Sequence, residues 1–197
     1  DLVWIKGRSG ATEGIIVDSI RGASKSFNHA YTAEEYTASS PHHEVQAFLS
    51  DTAGISTGGV TIGQNGRVNT TDATYVGWFW DCGAAEATAS TDGSVTPSAQ
   101  WVNTAAGFSM SKVDTDAANT NFGHGLTSKP EFIISKKIDA ASHWHVYHDS
   151  VHSGGGYLNL ESNGTGSSTS KGTWSQAPDA TKIYTHDNIT DGDWMFY

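Results

Sequence analysis

The chain has 197 residues, a formal net charge of −10, 37% hydrophobic and 11% aromatic residues, and 22 glycines. That apolar content is enough for a core and excludes a disordered chain. The negative charge opposes phosphate backbones and anionic lipid surfaces, so no nucleic-acid partner and no membrane insertion are expected.

No apolar run reaches the roughly 18 residues a membrane-crossing helix needs. Cys82 is the single cysteine, so an intrachain disulfide and a cysteine-based zinc site are both excluded. Set between Trp80 and Gly83, it reads as a buried, inert thiol.

In chain order, short runs rich in β-branched and aromatic residues predict strands at 2–6, 14–17, 59–62, 74–81, 107–113, 131–136, 143–148, 157–160, 182–185 and 193–197. Gly, Asn, Asp and Ser separate them, as turns require. Helical periodicity is nearly absent. The best stretch, 33–49, is interrupted by Pro41, and it leaves room only for a helical turn at 33–36. Asn65-Gly66, between 60–63 and Val68, predicts a two-residue hairpin. The run 75–80 is apolar on both faces and predicts a strand covered on both sides. Residues 84–106 read as a connector in which Trp101 packs down. Both ends of the chain read as strand interiors, which points to a piece of a longer polypeptide.

The sequence also resembles itself. Asp1–Lys6 matches Glu131–Lys136, Asp18-Ser19-Ile20 matches Asp149-Ser150-Val151, and Phe27-Asn28 matches Leu158-Asn159. Asn69–Tyr75 matches Asn188–Trp194 in the same order. The expected fold is therefore all-β: an antiparallel sandwich in two diverged tandem copies, 1–105 and 106–197. The first carries an inserted loop at 30–56, and the two are free to pack as one body.

The matched segments contain Phe108-Ser109-Met110, Gly123-His124-Gly125-Leu126, Pro130 followed by Glu131–Lys136, Trp144-His145-Val146-Tyr147-His148, Tyr157-Leu158-Asn159-Leu160-Glu161 and residues 188–197. In this combination they resemble a repeat of tailed-phage virion proteins, especially those of marine and cyanobacterial phages. The resemblance covers nearly all of the second copy and, in the first, residues 1–6 and 69–80. It implies a jelly-roll, concanavalin- or lectin-like sandwich on a tail fibre, tail-associated protein or capsid protrusion. It further implies a virion-surface location, a role in host attachment, other virion proteins and a host-surface glycan as partners, and a homo-oligomeric assembly. It carries no catalytic residues and no cofactor. Glu161 and Ser135 depart from its pattern.

Candidate site residues follow from chemistry. His143 and His145 are two apart, so they share a strand face opposite Trp144 and Val146, and with His148 or His152 they offer a zinc-like arrangement. The alternative is a polar outer sheet face. His124, between two glycines, would touch a ligand or close its own turn. Asp114, Asp116, Asn119 and Asn121 form an oxygen-rich segment that could hold calcium, without the spacing of an EF-hand. Most tryptophans fall inside strand patterns and read as core; Trp174, beside Thr173 and Ser175, is the best candidate for an exposed one that stacks on a sugar. Glu13, Glu35, Glu44, Glu86 and Glu161 form no recognisable glycosidase pair, and no nucleophile elbow is present. The expectation is a non-enzymatic virion surface protein. A carbohydrate-binding module of a secreted enzyme and a hydrolase with an unrecognised site stand as alternatives.

Overall fold

A computed structural model describes residues 1–10, 12–37, 39, 43–49, 58–83, 86–115, 119–151, 156–162, 173–186 and 188–197. Among them no helix occurs. The strands are β1 (Leu2–Gly7), β2 (Ile15–Asp18), β3 (Lys25–Asn28), β4 (Tyr36–Thr37), β5 (Val45–Leu49), β6 (Gly59–Ile62), β7 (Tyr75–Trp80) and β8 (Ala99–Asn103). They continue as β9 (Phe108–Thr115), β10 (Asn121–Gly123), β11 (Phe132–Lys137), β12 (His145–His148), β13 (Leu158–Asn159), β14 (Lys182–Tyr184) and β15 (Gly192–Phe196). A five-stranded sheet has the order β4-β3-β2-β1-β7, and a six-stranded sheet the order β13-β12-β11-β15-β9-β8. Two small sheets, β5-β6 and β10-β14, complete the fold, and every pairing is antiparallel.

Period-2 alternation builds the layers. Leu2, Ile16 and Phe27 of the five-stranded sheet meet Met110, Ile134, Val146 and Met195 of the six-stranded sheet in one buried cluster. The alternate residues Val3, Ile5, Ile15 and Val17 pack under Val45, Phe48, Val60 and Ile62 of the β5-β6 hairpin. Val113, Ile133, Tyr147, Trp194 and Phe196 pack under Phe122 and Ile183 of β10-β14. The two large sheets thus form an antiparallel β-sandwich, and each is covered on its other face by a small sheet. β2 is buried at all four positions for this reason.

Polar groups also cross the central interface. Trp144 is fully buried, packs edge-on against Phe27 at 5.3 Å, and donates its Nε1–H to the carbonyls of Asn28 and Tyr31. Tyr197 donates its hydroxyl to buried Asp18 at 2.6 Å, and Asp18 also accepts from Arg21. Buried Lys136 donates to the carbonyls of Thr32 and Ser142. A buried charge is tolerated only with such partners.

The sub-order β3-β2-β1-β7 runs parallel to β13-β12-β11-β15. Ile16 pairs with Phe27 as Val146 pairs with Leu158, and Lys6 pairs with Val76 as Lys136 pairs with Met195. Ser19 N–H donates to the Asp1 carbonyl as Asp149 N–H donates to the Glu131 carbonyl. The division expected at residue 105 falls within the β8-β9 hairpin, where Trp101 pairs with Met110 and packs on the central core.

Three local expectations are corrected. β7 is an edge strand, and Trp78 and Phe79 are 43% and 59% exposed rather than covered, because among the described residues nothing pairs with its outer side. Residues 33–36 form no helical turn: 33–35 lie outside any regular element, and Tyr36 and Thr37 pair with Ser26 and Lys25. Asn65-Gly66 is not a hairpin connection: β6 pairs back to β5, and the Asn65 side chain and carbonyl hold the turn by accepting from Arg67 and Val68.

A candidate recognition surface

One rim of the five-stranded sheet gathers residues from five chain segments. Glu13 precedes β2, Asn28 ends β3, Tyr31 lies in the next turn, Tyr36 is in β4, Glu44 precedes β5, and Asn65 and Arg67 lie in the turn after β6. Arg67 Nε donates to Glu13 at 3.1 Å, and its other arm donates to Glu44 at 3.0 Å. Glu44 is buried, so its charge needs that partner. Asn28 and Asn65 donate to Glu13 and Glu44 respectively.

Two tyrosines flank this pair. Tyr31, 52% exposed, hydrogen-bonds Glu13 through its hydroxyl, and the Arg67 guanidinium lies 5.6 Å from the ring centre of Tyr36, 50% exposed. The Tyr31 bond, with Arg67 adding its charge, holds the Glu13 carboxyl below the usual carboxylate range, and the same bond raises the Tyr31 phenol. A general acid needs the opposite shift. The surface instead offers two aromatic faces beside fixed donors and acceptors, which suits a polyhydroxylated ligand: ring C–H against the aromatic, hydroxyls to carboxylate, amide and guanidinium. The backbone beneath is held firmly, through Trp144 on Asn28 and Tyr31 and through Lys136 on Thr32.

The residues singled out from sequence lie elsewhere. Trp174 is not exposed. It is completely buried, edge-on to Tyr147 and Phe196, because its bridge to Thr185 folds it under the β10-β14 layer. His145 is also buried, against Tyr157 and Trp194, with Thr173 Oγ1 3.0 Å from its Nδ1. Burial, and then the neighbouring His143, lowers its pKa to about 4. His143 is exposed and pairs with Glu161, whose other oxygen accepts the Trp144 N–H at 3.1 Å. Glu161 therefore fixes the start of β12. Trp144 and Val146 do face the central core, opposite His145.

His124 is buried and closes its own turn: its Nδ1 accepts from Leu126 N–H, and its Nε2 lies 3.3 Å from the Asp179 carbonyl. Burial lowers its pKa. Asp114 is exposed on β9, Asn119 adopts a left-handed backbone with φ of 62°, and Asp116 and His152 lie outside the described residues. Among the described residues no group of His, Cys, Asp and Glu is placed to hold a metal.

Sequence reasoning passed over Tyr31, Tyr36 and Arg67. The available signal was the inserted segment itself, a polar stretch carrying two tyrosines, since loops on a rigid scaffold are where recognition residues concentrate.

By fold the chain is an antiparallel β-sandwich protein. It belongs to the DUF7483 family, described as a domain of unknown function, whose family model matches residues 1–193. No curated protein and no solved structure matches the chain.

Proposed function

We propose that this chain is a non-enzymatic unit of a virion surface protein, carried on a tail fibre, tail-associated protein or capsid protrusion. It attaches to a host-surface glycan through the Tyr31–Glu13–Arg67–Tyr36 rim. The observation that carries the glycan reading is the pair of half-exposed tyrosines set about one Arg–carboxylate pair. The virion assignment rests on the motif resemblance, from residues 108–110 to 188–197. The parallel strand orders and registers of the two large sheets support a chain of two diverged copies whose inner faces pack together. Its partners are other virion proteins and copies of itself.

The test is binding of the purified chain to a broad glycan panel and to intact bacteria, with and without EDTA. Saturable binding that a soluble sugar competes away supports the reading, and loss of binding in EDTA would bring a calcium-dependent site back into it. A folded sample that binds neither panel nor cells overturns it. A carbohydrate-binding module of a secreted enzyme would use the same tyrosine pair. A parent reading frame joining this chain to a catalytic domain, rather than lying among tail or capsid genes, would decide for that alternative.

A further inference from the structure

β7 is six residues long, regular in register against β1, and free of charge and proline. Edge strands in soluble proteins normally carry such devices against pairing. Its outward polar groups can be assigned. Arg8 N–H donates to the Thr74 carbonyl just beyond the strand, and antiparallel pairs alternate. Val76, Trp78 and Trp80 therefore bond to β1, while Tyr75, Gly77 and Phe79 turn their N–H and C=O to the side that no described residue pairs with.

Grooves flank that edge on both faces. Toward the β5-β6 hairpin lies one of about 600 Å³, lined by Phe48, Leu49, Val60 and Phe79. Toward the six-stranded sheet lies one of about 460 Å³, lined by Trp4, Trp80, Phe108 and Phe132. A strand added to β7 sends alternate side chains into each.

The molecule already contains that arrangement once. β15 holds against β11 the place that β7 holds against β1, and its other side is taken by β9. Trp194 pairs with Val113 and Phe196 with Ser111. β9 supplies Met110 to the central core and Val113 to the outer one.

We infer that the open edge of β7 is an acceptor for an extended strand of a second polypeptide, bound antiparallel as β9 is bound to β15. The occupant has β9 chemistry: apolar residues on both faces, a small residue opposite Gly77, and neutral or basic charge against a chain of net −10. The inference stands on the edge and its grooves, and does not depend on glycan binding at the tyrosine rim.

The test uses a fluorescein-labelled synthetic hairpin of residues 98–115, comprising β8 and β9, titrated into the full chain. Expected are saturable binding, no binding of a scrambled hairpin, and slowed amide exchange at Gly77 and Phe79. Gly77→Pro removes an outward N–H and leaves the β1 ladder intact, since proline is tolerated at that kind of edge position. Only the exposed Phe79 ring meets a new Cβ there, at 2.8 Å. Binding should weaken at least tenfold in Gly77→Pro and in Phe79→Lys, each with an unchanged unfolding midpoint. Absence of binding to the folded wild type, or equal binding by both variants, overturns the inference. So does a peptide-free dimer that Gly77→Pro dissociates, because the edge would then belong to a second copy.

Discussion

Replacing Trp144 by alanine probes the central interface where both sheets depend on one side chain. The residue is fully buried, its ring packs on Phe27 of the opposite sheet, and its Nε1–H serves two carbonyls there. A buried tryptophan removes about 150–250 Å² from water, and at about 25 cal/mol per Å² that is about 4–6 kcal/mol, an upper bound for an extended unfolded chain. Measured Trp→Ala changes in cores run about 3–5 kcal/mol, so a loss of about 4 kcal/mol is expected. Trp144→Phe keeps the ring contact and loses the donor, at a cost of about 1–2 kcal/mol. Urea unfolding followed by tryptophan fluorescence and by far-UV circular dichroism reads both. With a slope of about 2 kcal/mol/M, the alanine midpoint should fall by about 2 M in one transition common to both probes. A loss under about 1 kcal/mol, or two separated transitions, would refute a shared core.

Three further outcomes follow from buried polar groups. His145 stays neutral in the native chain down to about pH 4, whereas the unfolded chain protonates it near 6.5. Stability is therefore lost as pH falls from about 6.5 to 4, by about 3 kcal/mol, and His145→Gln should remove that component from the difference between the two pH–stability curves. The Cys82 thiol is completely buried and burial pushes its pKa up to about 12, so it should react with a disulfide reagent at pH 8 only after unfolding; immediate reaction of the native chain would contradict its placement. Arg67→Met leaves Glu44 buried without its cation and should lower stability by about 2 kcal/mol in urea unfolding. Arg67→Lys should recover only part of that, because one ammonium cannot reproduce the fork reaching both Glu13 and Glu44.

All ten strands expected from sequence occur, with ends shifted by one or two residues, because β-branched and aromatic runs between turn residues are a local signal. β3, β4, β5, β8 and β10 were not anticipated. Tyr36–Thr37 and Asn121–Gly123 are too short for a period to register, and Ala99–Asn103 is held in its sheet by pairing with β9, a non-local partner. The double-sided apolarity of 75–80 was legible, but not its meaning: the strand faces two grooves at a sheet edge instead of two filled cores. The tyrosine rim was invisible for a similar reason. Glu13 and Glu44 become neighbours only when Arg67, 54 and 23 residues away from them, reaches between them. Trp174 was misread because polar neighbours in sequence suggested a surface loop, whereas its bridge to Thr185 turns it inward.

Binding of the wild-type chain and of a Tyr31→Ala/Tyr36→Ala variant to intact bacterial cells tests the central functional claim most directly. Both rings are half exposed, so the variant should keep the wild-type unfolding free energy within about 0.5 kcal/mol. The account predicts saturable, sugar-competed binding by the wild type and at least a tenfold loss in the variant. Equal binding by the two chains would contradict it and move recognition to another face of the molecule.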